Sequence, residues 1–216
     1  MSGKPMRSLA MLALLLLLPV QVSATPQEWH EYATTEHSHI AYRSLPSGVT
    51  ELKAELTTTA RLGSFLHLLE NTASISDWVP HAEKATLIAQ PQTNVHIVHT
   101  QFEGMFLIAP REMVTRSQWQ QDRESLTVTI DVSDASDEYH VATQGVLMTA
   151  VAFRWTITPL NDKRIRITYQ GYADPAGRLP DFIARKAALR AMKKTLAQLP
   201  QALENYPCAY TGIVES

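Results

Sequence analysis

Two stretches in the second half of the chain constrain its fold more than any others. Val151, Phe153, Trp155 and Ile157 alternate with Ala152, Arg154 and Thr156, and Ile165, Ile167 and Tyr169 alternate with Arg164, Arg166 and Thr168. Successive side chains of a strand point to opposite faces, so each stretch has one apolar and one wet side, the signature of antiparallel pairing with one solvated face. The apolar face of such a sheet must be covered. A cover follows at once: from Leu179 to Asn205 the period changes, with Phe182, Leu189, Leu196 and Leu203 at seven-residue steps and Met192 and Leu199 between them. That spacing predicts a long helix with a narrow apolar seam, ended near Tyr206-Pro207.

The earlier part of the chain fits the same scheme. Trp29 to Glu36 reads as a short helical opening, Ile40 to Arg43 as a strand, and Ser47-Gly48 as a turn. Val49 to Ala60 sets Leu52, Ala54 and Leu56 against Glu51, Lys53 and Glu55, a half-buried strand. Arg61 to Asn71 carries the apolar stripe of a helix, and Ile75 to His81 is a second short helix holding Trp78 and stopped at Pro80. Further strands are expected at Ala85 to Ala89, Val95 to Phe102, Glu112 to Gln120, Leu126 to Val132 and Val141 to Leu147. The expected class is α+β, a curved antiparallel sheet with its helices gathered on one face.

Lys4 and Arg7 precede the apolar run Leu9 to Val20, and Val22-Ser23-Ala24 follows it. Basic region, short apolar core and small residues are the order of a secretory signal, so cleavage is expected after Ala24, leaving residues 25–216 as one domain in the periplasm or outside the cell. The run is too short for a bilayer span, which takes about 20 residues. The formal charge of −2 becomes −4 without Lys4 and Arg7, so no global basic charge points to nucleic acid. Cys208 is the lone cysteine, so the core rather than a disulfide framework must supply stability.

At Tyr172-Ala173-Asp174-Pro175-Ala176-Gly177-Arg178-Leu179-Pro180-Asp181-Phe182 the chain resembles the START (steroidogenic acute regulatory protein-related lipid transfer) family. Members leave their last strand through an Asp-Pro-x-Gly-x-x-Pro turn into the C-terminal helix. Tyr42-Arg43, Ser76-Asp77-Trp78-Val79 and Ile108-Ala109-Pro110-Arg111-Glu112-Met113-Val114 also resemble family segments, with Glu112 standing where Asp is usual and Phe106-Leu107 replacing the usual Pro-Trp-Pro. The resemblance runs from about Tyr32 to Leu203. It implies a helix-grip fold, with the sheet wrapped around the long C-terminal helix, and a hydrophobic tunnel between them that takes a lipid. Motion of that helix, or of the segment Phe102 to Pro110, would open the tunnel.

A lipid tunnel needs apolar walls and a few orienting polar groups. The wall candidates are Trp78, Phe102, Trp119, Met148, Phe153, Trp155, Tyr169 and Phe182. Arg111 is the candidate orienting charge; the resemblance implies a place for it near the tunnel, and because a buried guanidinium must be paired, Glu112 and Glu103 are its candidate partners. His37-x-His39 and His96-x-x-His99 lack a third ligand at zinc spacing, and strand geometry sends His96 and His99 to opposite sides, so neither metal nor cofactor is expected. No Gly-x-Ser-x-Gly elbow or glycine-rich phosphate loop occurs. Arg185, Lys186, Arg190, Lys193 and Lys194 form a basic outer face on the last helix, either a solvated surface or a contact for anionic headgroups. Non-enzymatic binding of a lipid or other hydrophobic molecule is the leading expectation. The alternatives are a cyclase- or aromatase-like enzyme using Arg111, Glu112 and Tyr169, and a ligand-free assembly module.

Overall fold

A computed structural model describes residues 28–104, 108–160 and 163–215 of the chain. The leader, its cleavage site and Phe106-Leu107 lie outside the described residues. The elements run β1 (His30–Thr34), β2 (Ser38–Ser44), β3 (Thr50–Thr59), α1 (Leu62–Glu70), a 3-10 turn (Thr72–Ser74), α2 (Ile75–Trp78), β4 (Ala82–Gln92), β5 (Val95–Phe102), β6 (Arg111–Gln121), β7 (Val128–Asp134), β8 (Val146–Leu147), β9 (Thr149–Pro159), β10 (Arg164–Asp174) and α3 (Asp181–Glu204). All the strands share one sheet in the order β1-β2-β3-β10-β9-β7-β6-β5-β4, antiparallel throughout, with β8 paired in parallel to the start of β6. The architecture is the helix-grip expected from the sequence: a bent sheet with α3 across its concave face.

The two alternating stretches form the hairpin at the heart of the sheet. Ile157 lies opposite Ile167, and Trp155 opposite Tyr169. Their apolar face meets α1, α2 and the C-terminal half of α3, where Phe65, Leu66, Leu196, Leu199 and Leu203 are buried with Ile157, Ile165 and Ile167. At Gly171 the β9 and β10 backbones approach closely; a Cβ there would stand 2.2 Å from that of Phe153.

Three expectations are corrected. Residues from Trp29 onward open as the edge strand β1, not as a helix. His30 packs on the Tyr42 ring at 5.4 Å and Trp29 lies under the Arg43 guanidinium at 4.7 Å, contacts that an extended edge makes across to β2. Within Val141 to Leu147, only Val146 and Leu147 pair as strand. The rest is held by other means: Tyr139, Val141 and Leu147 pack on a second small core of Ile97, Val114 and Ala135 behind β5 and β6. β4 is longer than expected and contains Pro91, which an edge strand tolerates because its outward N–H has no ladder partner.

α3 matches its predicted span to within two residues at the start and one at the end. Pro180 occupies its cap, and its carbonyl accepts from the amides of Ile183 and Ala184. Ala176 and Gly177 take positive φ in the preceding turn, which lets β10 reverse directly into the helix.

Candidate ligand-binding cavity

The sheet and α3 are packed tightly at one end and hollow at the other. Towards the C-terminus of α3, large residues such as Leu196, Leu199 and Leu203 fill the space. Towards its N-terminus the inward residues are Ala184, Ala187, Ala188 and Ala191, and side chains this short do not reach the sheet. Their spacing of three and four residues puts them on one helix face. The result is a cavity of about 630 Å³, within the usual range of about 300–1,000 Å³ for small-molecule sites.

Trp78, Phe102, Arg111, Trp119, Met148, Phe153, Trp155 and Tyr169 all line this cavity. Trp155 and Tyr169 meet edge to face at 4.9 Å, and Phe153 lies 5.4 Å from Tyr169, so three rings from β9 and β10 form a continuous aromatic wall. Burial, with the Glu51 carboxylate nearby, pushes the Tyr169 phenol well above its ordinary range, which keeps it neutral. Phe182 is the exception. It projects from the first turn of α3 and is 63% exposed, because Asp181, Ala184 and Arg185 occupy the inward positions there.

Arg111 lines the cavity, but neither Glu112 nor Glu103 holds it. Its guanidinium donates to backbone carbonyls instead: Nε to Pro175 at 2.7 Å, Nη1 to Ala109 at 2.7 Å and Nη2 to Ala176 at 3.5 Å. The planar fork thereby ties the start of β6 to the turn that launches α3. Glu112, the next residue along a strand, points to the other side of the sheet. One oxygen accepts from the amides of Gln144 and Gly145 at 2.6 and 2.5 Å, and the other is 2.6 Å from His99 Nε2. Burial pushes this carboxyl up, but the bonds from Gly145, Gln144 and His99 outweigh it and hold the group below its ordinary value. Of the three residues considered for acid/base work, only Arg111 and Tyr169 face the cavity.

His96 faces inward at the far end, and its Nε2 lies 3.0 Å from Gln90 Nε2 and 3.4 Å from Glu70 Oε1. Glu70 also accepts from the hydroxyl of Tyr210, which belongs to the tail beyond α3. Among the described residues no three His, Cys, Asp or Glu side chains converge as a metal site would require. Arg185 departs from the expected outer basic face: it joins the cavity lining and covers the Tyr42 ring at 5.6 Å. Lys186, Arg190, Lys193 and Lys194 stay outside and exposed. Sequence reasoning missed the alanine face, His96 and Glu70 as cavity residues. The signal for the alanine face is the three-and-four spacing of Ala184, Ala187, Ala188 and Ala191.

Comparison with known proteins agrees with this architecture. The START domain family model matches residues 12–207. Among solved structures, the chain is similar to a STAR-related lipid transfer protein from Xanthomonas axonopodis, with a TM-score of 0.73 and 18% identity over 82% of this chain and 98% of that one. It is also similar to human STARD10, with a TM-score of 0.72 and 14% identity over 83% of this chain and 74% of that one. Human StAR-related lipid transfer protein 5 gives a TM-score of 0.72 and 15% identity over 82% and 87%. No curated protein matches the chain. At these identities the solved structures share the fold, and the match of the family model over most of the sequence shows that this chain belongs to the START domain family.

Proposed function

We propose that the protein is a non-enzymatic carrier that holds a lipid or other hydrophobic molecule in the cavity and works outside the cytoplasm. The observation that carries this reading is the hollow of about 630 Å³ between the alanine face of α3 and the aromatic wall of β9 and β10. A domain of this size has no reason of stability to leave such a space, because an unfilled apolar cavity costs contacts on every side. Filling it removes ligand surface from water at about 25 cal/mol per Å². No bond need be made or broken.

Loading requires the cavity to open, and the turn from Asp174 to Pro180 is the natural hinge, since it joins β10 to α3 and is restrained by the Arg111 bonds to Pro175 and Ala176. Exposed Phe182 and the basic residues Lys186, Arg190, Lys193 and Lys194 lie along α3 from that same end. An apolar tip beside basic side chains suits transient contact with an anionic bilayer, where each basic residue gains about 1 kcal/mol. Export rests on the leader pattern of residues 1–24.

The test is native mass spectrometry of the protein purified from its exported compartment, followed by extraction of whatever travels with it. A stoichiometric hydrophobic molecule, on a chain whose mass begins after Ala24, is expected. An empty protein that also takes up nothing from lipid vesicles would overturn the carrier reading, and an unprocessed N-terminus would overturn the export.

A further inference from the structure

The segment after α3 turns back over α1 and forms no helix or strand of its own. Within residues 206–215 only Tyr210 is buried; Tyr206, Ile213 and Glu215 are half-buried and the rest are exposed. With so little apolar area removed from water, hydrogen bonds hold the segment in place. Ser64 Oγ donates to the carbonyl of Tyr206 at 2.7 Å, Glu215 accepts from the amides of Leu62 and Gly63 at 3.1 Å, and Gln121 exchanges two bonds with the backbone of Val214, both at 2.8 Å. The segment thus straps α1 to the end of β6. Parts of a fold with few buried apolar contacts open locally, at a lower free energy than the whole domain.

The strap lies against the cavity wall. A notch of about 260 Å³ beside it is lined by His67, Glu70, Gln90, Thr93, Tyr210 and Thr211. Glu70 lines the cavity as well, so one side chain is common to both spaces. From the cavity side His96 Nε2 comes within 3.4 Å of Glu70 Oε1, and from the notch side Tyr210 donates its hydroxyl to the same oxygen. Tyr210 also meets the ring of Trp119, another cavity residue, edge to face at 5.6 Å. Burial and the bond to Glu70 push the Tyr210 phenol well above its ordinary range, which keeps it protonated and able to donate. The partition between cavity and notch is therefore polar at Glu70, and one residue of the strap pins it from outside.

We propose that the cavity has a second opening here, latched by the strap through Tyr210 on Glu70, and that it passes water and small polar solutes. When the strap lifts, Tyr210 leaves Glu70 and Trp119 together, and the Glu70 side chain, already 33% exposed, is free to turn into solvent. The consequence for loading is one of volume. With His96, Thr100, Thr115 and Ser117 in its lining, the cavity of about 630 Å³ is polar and roomy enough for water, about twenty molecules at about 30 Å³ each. Cargo entering elsewhere must displace that solvent, and an exit beside α1 lets it leave without passing the cargo. Use as an exit rests on the carrier reading; the opening itself does not depend on what the cavity holds.

The test places a thiol on the cavity wall and times its modification from solution. In a Cys208→Ser background, Ser117→Cys sets the thiol opposite His96, and Ala184→Cys sets it on α3 as the control. Each is treated at one fixed pH with methanethiosulfonate ethylammonium, a small cationic reagent, with and without Tyr210→Phe. That substitution keeps the ring and removes the bond to Glu70, and losing a bond to a charged group shifts an opening equilibrium by about tenfold or more. Modification at position 117 should quicken by about that factor while modification at 184 stays unchanged. An unchanged rate at 117, or an equal rise at both positions, would overturn the second opening. Hydrogen exchange of the unaltered chain gives an independent reading: the amides of Leu62, Gly63 and Val214, which the strap bonds engage, should exchange together and well ahead of β9 and β10. Protection of these amides equal to that of β9 and β10 would overturn it as well. Both measurements run without cargo, so failure here leaves the carrier reading standing, and a carrier that takes up nothing leaves the opening standing.

Discussion

At the residue scale, the neighbours Arg111 and Glu112 show how the pleat of a strand divides labour. Both are charged, Arg111 half-buried and Glu112 buried, yet they serve opposite faces: Arg111 braces the turn into α3 by bonding carbonyls, and Glu112 anchors the segment around Gln144 and Gly145 to the back of the sheet. Their separation was legible beforehand, because consecutive strand residues cannot converge on one site. The partners were not, since backbone carbonyls and amides leave no mark in a sequence. The depressed carboxyl of Glu112 makes stability depend on acid. A group held below its unfolded value of 4.5 contributes fully above that value and loses its contribution as pH falls through the lower folded one. Urea unfolding of Glu112→Gln near neutral pH should show a loss of about 1–3 kcal/mol, and below pH 4.5 the gap between variant and parent should narrow.

At the element scale, α3 does two jobs with two kinds of side chain. Its leucines close the packed end of the core, and its alanines hold the other end open. Replacing Ala188 by Phe should fill the cavity and abolish ligand uptake, measured by titration with a fluorescent fatty acid, while circular dichroism stays that of the parent. The extra volume enters existing space, so the usual overpacking loss of about 1–3 kcal/mol should not appear in thermal melts. α1 illustrates a different dependence. Arg61 at its N-terminus offers no side-chain cap, and the free amides of Leu62 and Gly63 are met at 3.1 Å by the carboxylate of Glu215, from the far end of the chain. Glu215→Ala should cost about 0.5–2 kcal/mol, the range of lost helix caps, read as a lower urea midpoint. Neither the cap nor the strap of residues 205–215 over α1 was visible in local pattern, because nothing in the periodicity of a tail records what it lies against.

At the scale of the whole molecule, the cavity lies between the sheet and the N-terminal half of α3, and Lys186, Arg190, Lys193 and Lys194 project from the outside of that helix. On the proposed carrier reading, cavity affinity and membrane contact belong to different surfaces, which mutation separates. Reversing charge at Lys186, Arg190, Lys193 and Lys194 should slow ligand transfer between anionic vesicles by about tenfold or more and flatten its dependence on salt, as expected when screened surface charges are removed. Equilibrium binding of the same ligand in solution should not change. Unchanged transfer rates would exclude headgroup docking by this face.

The sequence by itself determined the class of the molecule: period-two alternation in β9 and β10, period-seven apolar steps in α3 and the Asp-Pro-x-Gly turn between them sufficed for a sheet gripping a helix. Those are local signals, set by how side chains repeat along a strand or a helix. It also marked the large wall residues, with Phe182 the one that turned outward. Tertiary structure alone decided that the core is hollow and that Arg185 joins the cavity lining rather than the outer face. A void is the sum of what many distant side chains fail to fill, and its lining combines β3, β5, β6, β9, β10, α1, α2 and α3; no window of sequence contains that sum.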